Sequence, residues 1–397
     1  MTERMKLIVD VGSGALGHAN DVPVATLNLS SHHPSAHGLI RLHLDIEDNV
    51  VVEATPEIGY MHRGAEKLLE SRDYRQGLAL ANRHDWLGAF CGELGYAIAV
   101  EAMLGLDVPE RAQWLRTLVA ELTRIISHLH FLDHFPVEAV SDSLDVHERA
   151  QTEAVSVHGV SHREQAQHYL EVLTGGRVHP MYAQIGGLRE DAPEGWLDDM
   201  ARFVNTMREQ DDHIAPYLTC EPLTHTLRAM GVLNRELVTT HGGSGPVARA
   251  AGIDIDLRRD QPYAAYGDLR ETIRVIGYEE SDVLARLMVI REQIPVSLDL
   301  IDSCIERLRA LDGPINVALP KTLRAPEGLH YGWTETPLGI GGYLVASHGE
   351  RTPWRVKLRT PSLAHVALLG PALIGYPTQA IAPIVSSLFL VTGDMDR

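Results

Sequence analysis

A chain of 397 residues, 45% hydrophobic and 22% charged, has the make-up of an ordinary globular protein. Its net charge of −18 excludes nucleic acid, which requires a basic footprint, and direct attachment to an anionic membrane surface. The three cysteines, Cys91, Cys220 and Cys304, lie far apart and form no C-x-x-C pair. They offer no zinc or iron–sulfur ligand set and no disulfide framework, as in a reducing compartment. The polar start predicts no signal peptide, and no apolar run reaches the roughly 18–20 residues of a membrane span.

At the N-terminus, Gly12-Ser13-Gly14-Ala15-Leu16-Gly17 has the spacing of a dinucleotide-binding turn. Pro23 follows too soon for the helix that should carry a pyrophosphate, and no acidic residue ends a second strand about 20 positions on. Residues 1–23 therefore read as a flexible extension. Val24–Ser30 and Leu39–Ile46 alternate as strands do, and Asp48-Asn49 turns the second into Val50–Glu53. Between the two strands, His32-His33-Pro34-Ser35-Ala36-His37-Gly38 sets three imidazoles within six positions. Pro34 holds His33 extended and Gly38 frees the backbone after His37, so the loop aims His37 at a target.

Helical patterns then dominate, over about 64–104, 109–132, 142–174, 194–215 and 280–311. The second of these, led by Pro109, would be ~36 Å long at 1.5 Å per residue. Glu121, Arg124 and His128 form a polar stripe on it, which suits either a solvated face or a buried polar channel. Gly342–Ser347 and Trp354–Arg359 make a second hairpin, followed by short helices. The predicted fold is α+β and predominantly helical, a bundle with β elements at both ends. One integrated domain covers 24–397, with a hairpin region at 24–60, the bundle at 61–315 and a β/short-helix region at 316–397. In the segment Tyr60–Lys67, His62 and Arg63 could donate to an anionic group or cluster.

The stretches H-H-P-S-A-H-G, I-G-Y-M-H-R-G-A-E-K, V-P-E-R-A-Q-W-L-R-T-L-V-A-E-L-T-R-I, I-G-G-L-R-E-D-A-P, A-G-I-D-I-D-L-R-R-D-Q-P-Y, R-V-K-L-R-T-P-S and G-D-M-D-R occur in that order. Together they resemble the D-type subunit family of proton-pumping NADH–quinone oxidoreductase, respiratory complex I, from about residue 24 to the C-terminus. The resemblance extends to a divergent second-copy form of that subunit. The family is related to the nickel–iron hydrogenase large subunit, which implies a similar helical bundle. It implies no hydrogenase activity, because the two metal-binding C-x-x-C pairs are absent.

The resemblance implies a peripheral-arm subunit on the cytoplasmic side of the cell membrane, inactive as an isolated chain. It would form one wall of a quinone headgroup cavity, opposite the subunit that carries the terminal iron–sulfur cluster. A C-type subunit and the membrane subunit forming the quinone channel would also adjoin it. The chain itself would bind no cofactor; FMN and the iron–sulfur clusters reside on partners, and NADH supplies electrons. His37 would hydrogen-bond a quinone carbonyl and help to protonate it. Arg63, with His62, would lie by the partner's cluster. Asp85 and Trp86 would contact quinone, and Glu138 would partner the loop histidine.

Several positions depart from the family pattern. Trp86 replaces a tyrosine, and an indole N–H cannot release a proton near neutral pH. Gln184 replaces an arginine, Ile340 an acidic residue, and Phe389 an aspartate. These changes keep open a structural paralogue that docks without catalysing, and the histidine cluster keeps open a metalloenzyme built on His32, His33 and His37.

Overall fold

The computed structural model describes residues 4–12, 22–27, 29, 32–141, 144–155 and 160–397. Its N-terminal sheet has strands β1 (Arg4–Gly12), β2 (Val24–Leu27), β3 (Leu39–Glu47) and β4 (Val50–Glu57), in the order β2-β1-β3-β4. β1 runs parallel to β2 and antiparallel to β3, from Arg4 opposite Glu47 to Gly12 opposite Leu39. The expected flexible extension is therefore a paired strand over Arg4–Gly12. Its buried apolar side packs in the core, and Arg41 clasps Asp10 bidentately at 2.7 and 2.9 Å. Residues 13–17 of the glycine motif lie outside the described residues. Asp48 and Asn49 both have positive φ, 48° and 66°, as the twist of a two-residue hairpin demands.

The helices begin with α1 (Ala65–Glu70), α2 (Tyr74–His84) and α3 (Ala89–Leu104). The single helical pattern expected from 64 to 104 is thus three helices. Asp73 caps α2 with a full capping box to Gln76, and Asp85 leaves helical geometry at its end. α4 (Glu110–Asp133) is buried over nearly its whole length, and α5 (Val137–Ser141), α6 (Val146–Val155), α7 (Val160–Thr174) and α8 (Trp196–Glu209) follow. Two two-residue strands, β5 (Ala183–Gln184) and β6 (Gly187–Leu188), pair on the way. Short helices α9 (Glu221–Leu227), α10 (Arg235–Thr240), α11 (Gly245–Ala250) and α12 (Leu257–Asp260) lead to α13 (Val283–Ala310), which packs along α4.

The C-terminal sheet is a meander of β7 (Gly328–Thr336), β8 (Gly339–Ser347) and β9 (Arg355–Arg359). β7 is absent from the sequence expectation because His330 and the glycines blur its alternation. It lies tight on α3: a Cβ at Gly332 would stand 2.5 Å from Ala99 N. Helices α14 (Pro361–Val366), α15 (Leu369–Leu373), α16 (Ile381–Ser387) and α17 (Thr392–Asp396) end the chain. α15 packs on β4 and α17 on α2, so the C-terminal segment runs back beneath the N-terminal sheet. The fold is α+β with strands at both ends, and no helix among the described residues is long and apolar enough to cross a membrane.

Candidate functional site

The histidine loop is built from three local anchors. His33 Nδ1 accepts the Ser35 amide at 3.2 Å, which starts a short 3-10 turn at Pro34–Ala36. Ser35 Oγ donates to Leu390 O at 2.8 Å and ties that turn to the C-terminal segment. Gly38 has φ +136°, and a Cβ there would meet Met61 Sδ at 2.5 Å and Thr392 at 2.6 Å. Only glycine lets the loop lie this close to α17 while leaving His37 exposed.

His37 meets Trp86 edge-on, ring centroids 5.3 Å apart at 86°. Trp86 in turn meets His130 at 5.2 Å and 87°. His130 Nε2 donates to His32 O at 2.9 Å, which joins α4 to the histidine loop. Arg163 of α7 donates to His130 Nδ1 at 2.9 Å and to His134 Nε2 at 3.0 Å. An imidazole nitrogen that accepts from a guanidinium carries no proton. Burial, then the Arg163 charge, accordingly pushes His130 down to about 3 and His134 to about 4. Burial and then His32 lower His37 as well, so its ring is neutral at pH 7.

His32, His37, Trp86, His130 and Arg163 line an open cavity of about 490 Å³. His37, Trp86 and Arg63 all line it, together with His32, Arg83, Arg163 and Gln167. Met61, His84, His130, Val178, His179 and Gly393 complete the wall. Three arginines and five imidazoles face the cavity, and among the described residues no carboxylate does. The C-terminus positions Arg63: its amide donates to Arg397 O at 3.2 Å, and Asp396 accepts from Gly59 N and Met61 N at 2.8 and 2.7 Å. Arg63 Nη2 reaches Arg83 O at 3.3 Å, and neither arginine has a carboxylate partner among the described ion pairs.

Three expected contact residues stand outside this wall. Asp85 is buried, and its Oδ1 turns back to accept from the amides of Leu87 and Gly88 at 3.1 and 3.0 Å. His62 is occupied by Asp396 O, 2.7 Å from its Nδ1. Glu138 is exposed in the first turn of α5, because Pro136 ends the helical run of α4 and the chain turns outward. Gln184 is exposed in β5, Ile340 is half-buried in β8, and Phe389 packs edge-on against Phe131 at 5.2 Å. His33 is fully buried against Phe131 and contributes nothing to the wall. Among the described residues no group of three or more His, Cys, Asp or Glu is disposed to hold a metal, which removes the ground for the His32, His33 and His37 metalloenzyme.

The polar stripe of α4 resolves toward burial: Glu121, Arg124 and His128 are at most 1% exposed. Glu121 accepts from Ser297 Oγ at 2.6 Å and from Arg258 Nη1 at 3.1 Å, and Tyr266 also donates to it. Burial alone would raise its carboxyl, but Arg124 and Arg258 outweigh this and hold it at about 2. Arg258 also pairs with Asp256 at 2.7 Å, and Arg249 with Glu335 at 2.8 Å. Three guanidiniums thus meet three carboxylates inside the bundle.

A family model described as the respiratory-chain NADH dehydrogenase 49 kDa subunit matches residues 152–324 and 317–397. The chain is 46% identical to the second D-type subunit of NADH-quinone oxidoreductase from Streptomyces griseus, over 98% of this chain and 95% of that protein. The chain belongs to the D-type subunit family of NADH-quinone oxidoreductase. The first D-type subunit of Streptomyces coelicolor is 45% identical with 98% of both chains covered, and the D-type subunit of Geobacillus thermodenitrificans is 35% identical over 93% of this chain and 98% of that one. A solved relative is a chain of the membrane-bound sulfane sulfur reductase, an archaeal respiratory membrane complex. It superposes with a TM-score of 0.80 at 32% identity, covering 90% of this chain and 94% of that one. As a member of this family, the chain is part of an oxidoreductase complex. The residues that sequence spacing alone does not bring out are His130, His134 and Arg163. The i, i+4 pair His130/His134 is the signal that was available for two of them.

Proposed function

We propose that this chain forms one wall of the cavity in which a quinone headgroup is reduced by a proton-translocating NADH:quinone oxidoreductase. The observation that carries the reading is the cavity itself, with exposed His37 braced against Trp86 at its wall. In this reading the partner bearing the terminal iron–sulfur cluster closes the cavity. The C-type and membrane subunits adjoin it, and the whole sits peripherally on the cytoplasmic side of the membrane. Electrons come from NADH through FMN and clusters held by partners.

His37 donates a hydrogen bond to one quinone carbonyl. Its lowered pKa keeps the ring neutral at rest and makes its imidazolium a ready proton donor during turnover. Trp86 supplies a flat apolar wall for the headgroup and no proton. Arg63 and Arg83, without a carboxylate partner among the described ion pairs, favour the more negative, reduced state of the adjacent cluster. Replacing His37 with Ala in the assembled complex is expected to lower quinone reduction about 100-fold or more, with cluster reduction by NADH unchanged. Undiminished quinone turnover in that variant would overturn the assignment.

A second reading, docking without catalysis, draws on Trp86 and on the exposed position of Glu138. It predicts that a quinone analogue fails to bind the native complex, whereas the first reading predicts binding that His37→Ala weakens.

A further inference from the structure

One cavity-lining imidazole is connected differently from the rest. His84, at the end of α2, is only 6% exposed and has both ring nitrogens engaged inward. Nδ1 lies 2.9 Å from Asp394 Oδ1 of α17, and Nε2 lies 2.5 Å from the Tyr343 hydroxyl of β8. Asp394 is fully buried, and its Oδ2 accepts the Ser362 amide at 2.9 Å. Both carboxylate oxygens are therefore fixed, and Nδ1 carries its proton in either charge state of the ring.

The Tyr343 hydroxyl supplies the unusual property. It can donate to an unprotonated His84 Nε2, or turn toward Ala81 O, 3.4 Å away, and accept from a protonated one. Neutral ring and imidazolium are thus both hydrogen-bonded without movement of any heavy atom. An ordinary buried histidine lacks this provision, because one of its states leaves a polar atom unpaired.

We propose that His84 is a positioning residue that takes up one proton at Nε2 when the acceptor in the cavity is reduced, and so balances the negative charge that arrives there. This rests on the reading of the cavity as the site of quinone reduction. Electrons reach the quinone from the partner's clusters, and the proton comes from bulk water onto Nε2. It returns to water when the charge leaves as quinol. No covalent bond other than N–H forms or breaks on His84.

The groups facing the ring suit this role. Asp394 from α17 and Asp85 from its own chain end are acidic and Tyr343 from β8 is a phenol, while Glu93 and Tyr96 from α3 act on Tyr343 from behind. Arg63 approaches the same turn beside Gly393 as the opposing cation. Burial, then the neighbouring Asp394 carboxylate, raises Asp85 well above the usual carboxylate range. One Asp85 oxygen has no hydrogen-bond partner among the described residues.

The test uses the assembled complex, with steady-state quinone reduction followed between pH 5.5 and 9. His84→Gln keeps hydrogen bonding but cannot gain the proton. It is expected to remove one pH-dependent transition from the kcat profile and to lower kcat about tenfold, with KM for quinone within twofold. Asp394→Asn withdraws the charge that holds the imidazolium and should shift the same transition about one unit or more to lower pH. Tyr343→Phe should shift it in the same direction by less, since the charged ring loses more than the neutral ring. A merely structural role would lower activity evenly at all pH values. Profiles of the same shape in wild type and His84→Gln overturn the proposal and leave the cavity assignment standing. If His37→Ala retains quinone turnover, it is the cavity assignment that has failed.

Discussion

Helix α4 presents two polar regions on different faces, and they obey opposite charge rules. Inside the bundle, Arg124, Arg249 and Arg258 meet Glu121, Asp256 and Glu335, cation for anion, with no solvent exposure. On the other face, His130 joins a cavity whose described wall holds three arginines and five imidazoles without one carboxylate. A buried charge survives only when it is paired, so the first region is complete within this chain. In the second, Arg163 reaches Glu164 at 3.0 Å, but Arg63 and Arg83 have no carboxylate partner among the described ion pairs, as the proposed substrate cavity beside a partner's cofactor requires.

The largest test of that contrast removes one member of the balanced set. Glu121→Ala leaves Arg124 without its carboxylate, while Arg258 keeps Asp256, and an unfolding free-energy loss of about 3–5 kcal/mol is expected by denaturant titration. A loss under about 1 kcal/mol would mean that the network is wet or rearranges. Acidification separates the regions next. His33 and His130 have pKa values lowered to about 3, against an ordinary 6.5 in the unfolded chain. Their contribution is full above 6.5 and drains away as pH falls from there toward 3. Each costs on the order of 1 kcal/mol per pH unit over that window. Glu121 behaves otherwise, since its carboxyl is held at about 2 and its pairing persists until pH falls through that value. Thermal unfolding should therefore move first below pH 6.5, with hydrogen exchange rising in the histidine loop before it rises in α4 and α13. The smallest effect belongs to Glu138. With its side chain in solvent, Glu138→Ala should change stability by no more than about 0.5 kcal/mol. In the assembled complex it should also leave quinone KM unaltered; a tenfold rise in KM would show that α5 reorients on assembly.

Much of the molecule was legible without coordinates. Apolar spacing from Trp114 to Leu129 sufficed for α4, and Asp48-Asn49 for the first hairpin, because period and turn chemistry are local properties. The family was legible from long motifs, and the bearing of the His32–Gly38 loop from one proline and one glycine. What periodicity could not decide was where each polar residue ends up. Glu121 reads the same in sequence whether it faces water or three buried partners. Those partners come from α12, α13 and Tyr266, more than a hundred residues away, and only the fold brings them to it. Glu138, expected from the resemblance to partner the loop histidine, is exposed, because Pro136 redirects the chain between α4 and α5. Arg4–Gly12 is too polar at its start to read as a strand, but becomes one once β3 supplies hydrogen bonds along its length. The sequence by itself determined α4, the first hairpin turn and the family. The cavity, its lining of arginines and imidazoles and the Asp394–His84–Tyr343 contact were decided by tertiary structure, since electrostatic partnership depends on distance in space and not on separation along the chain.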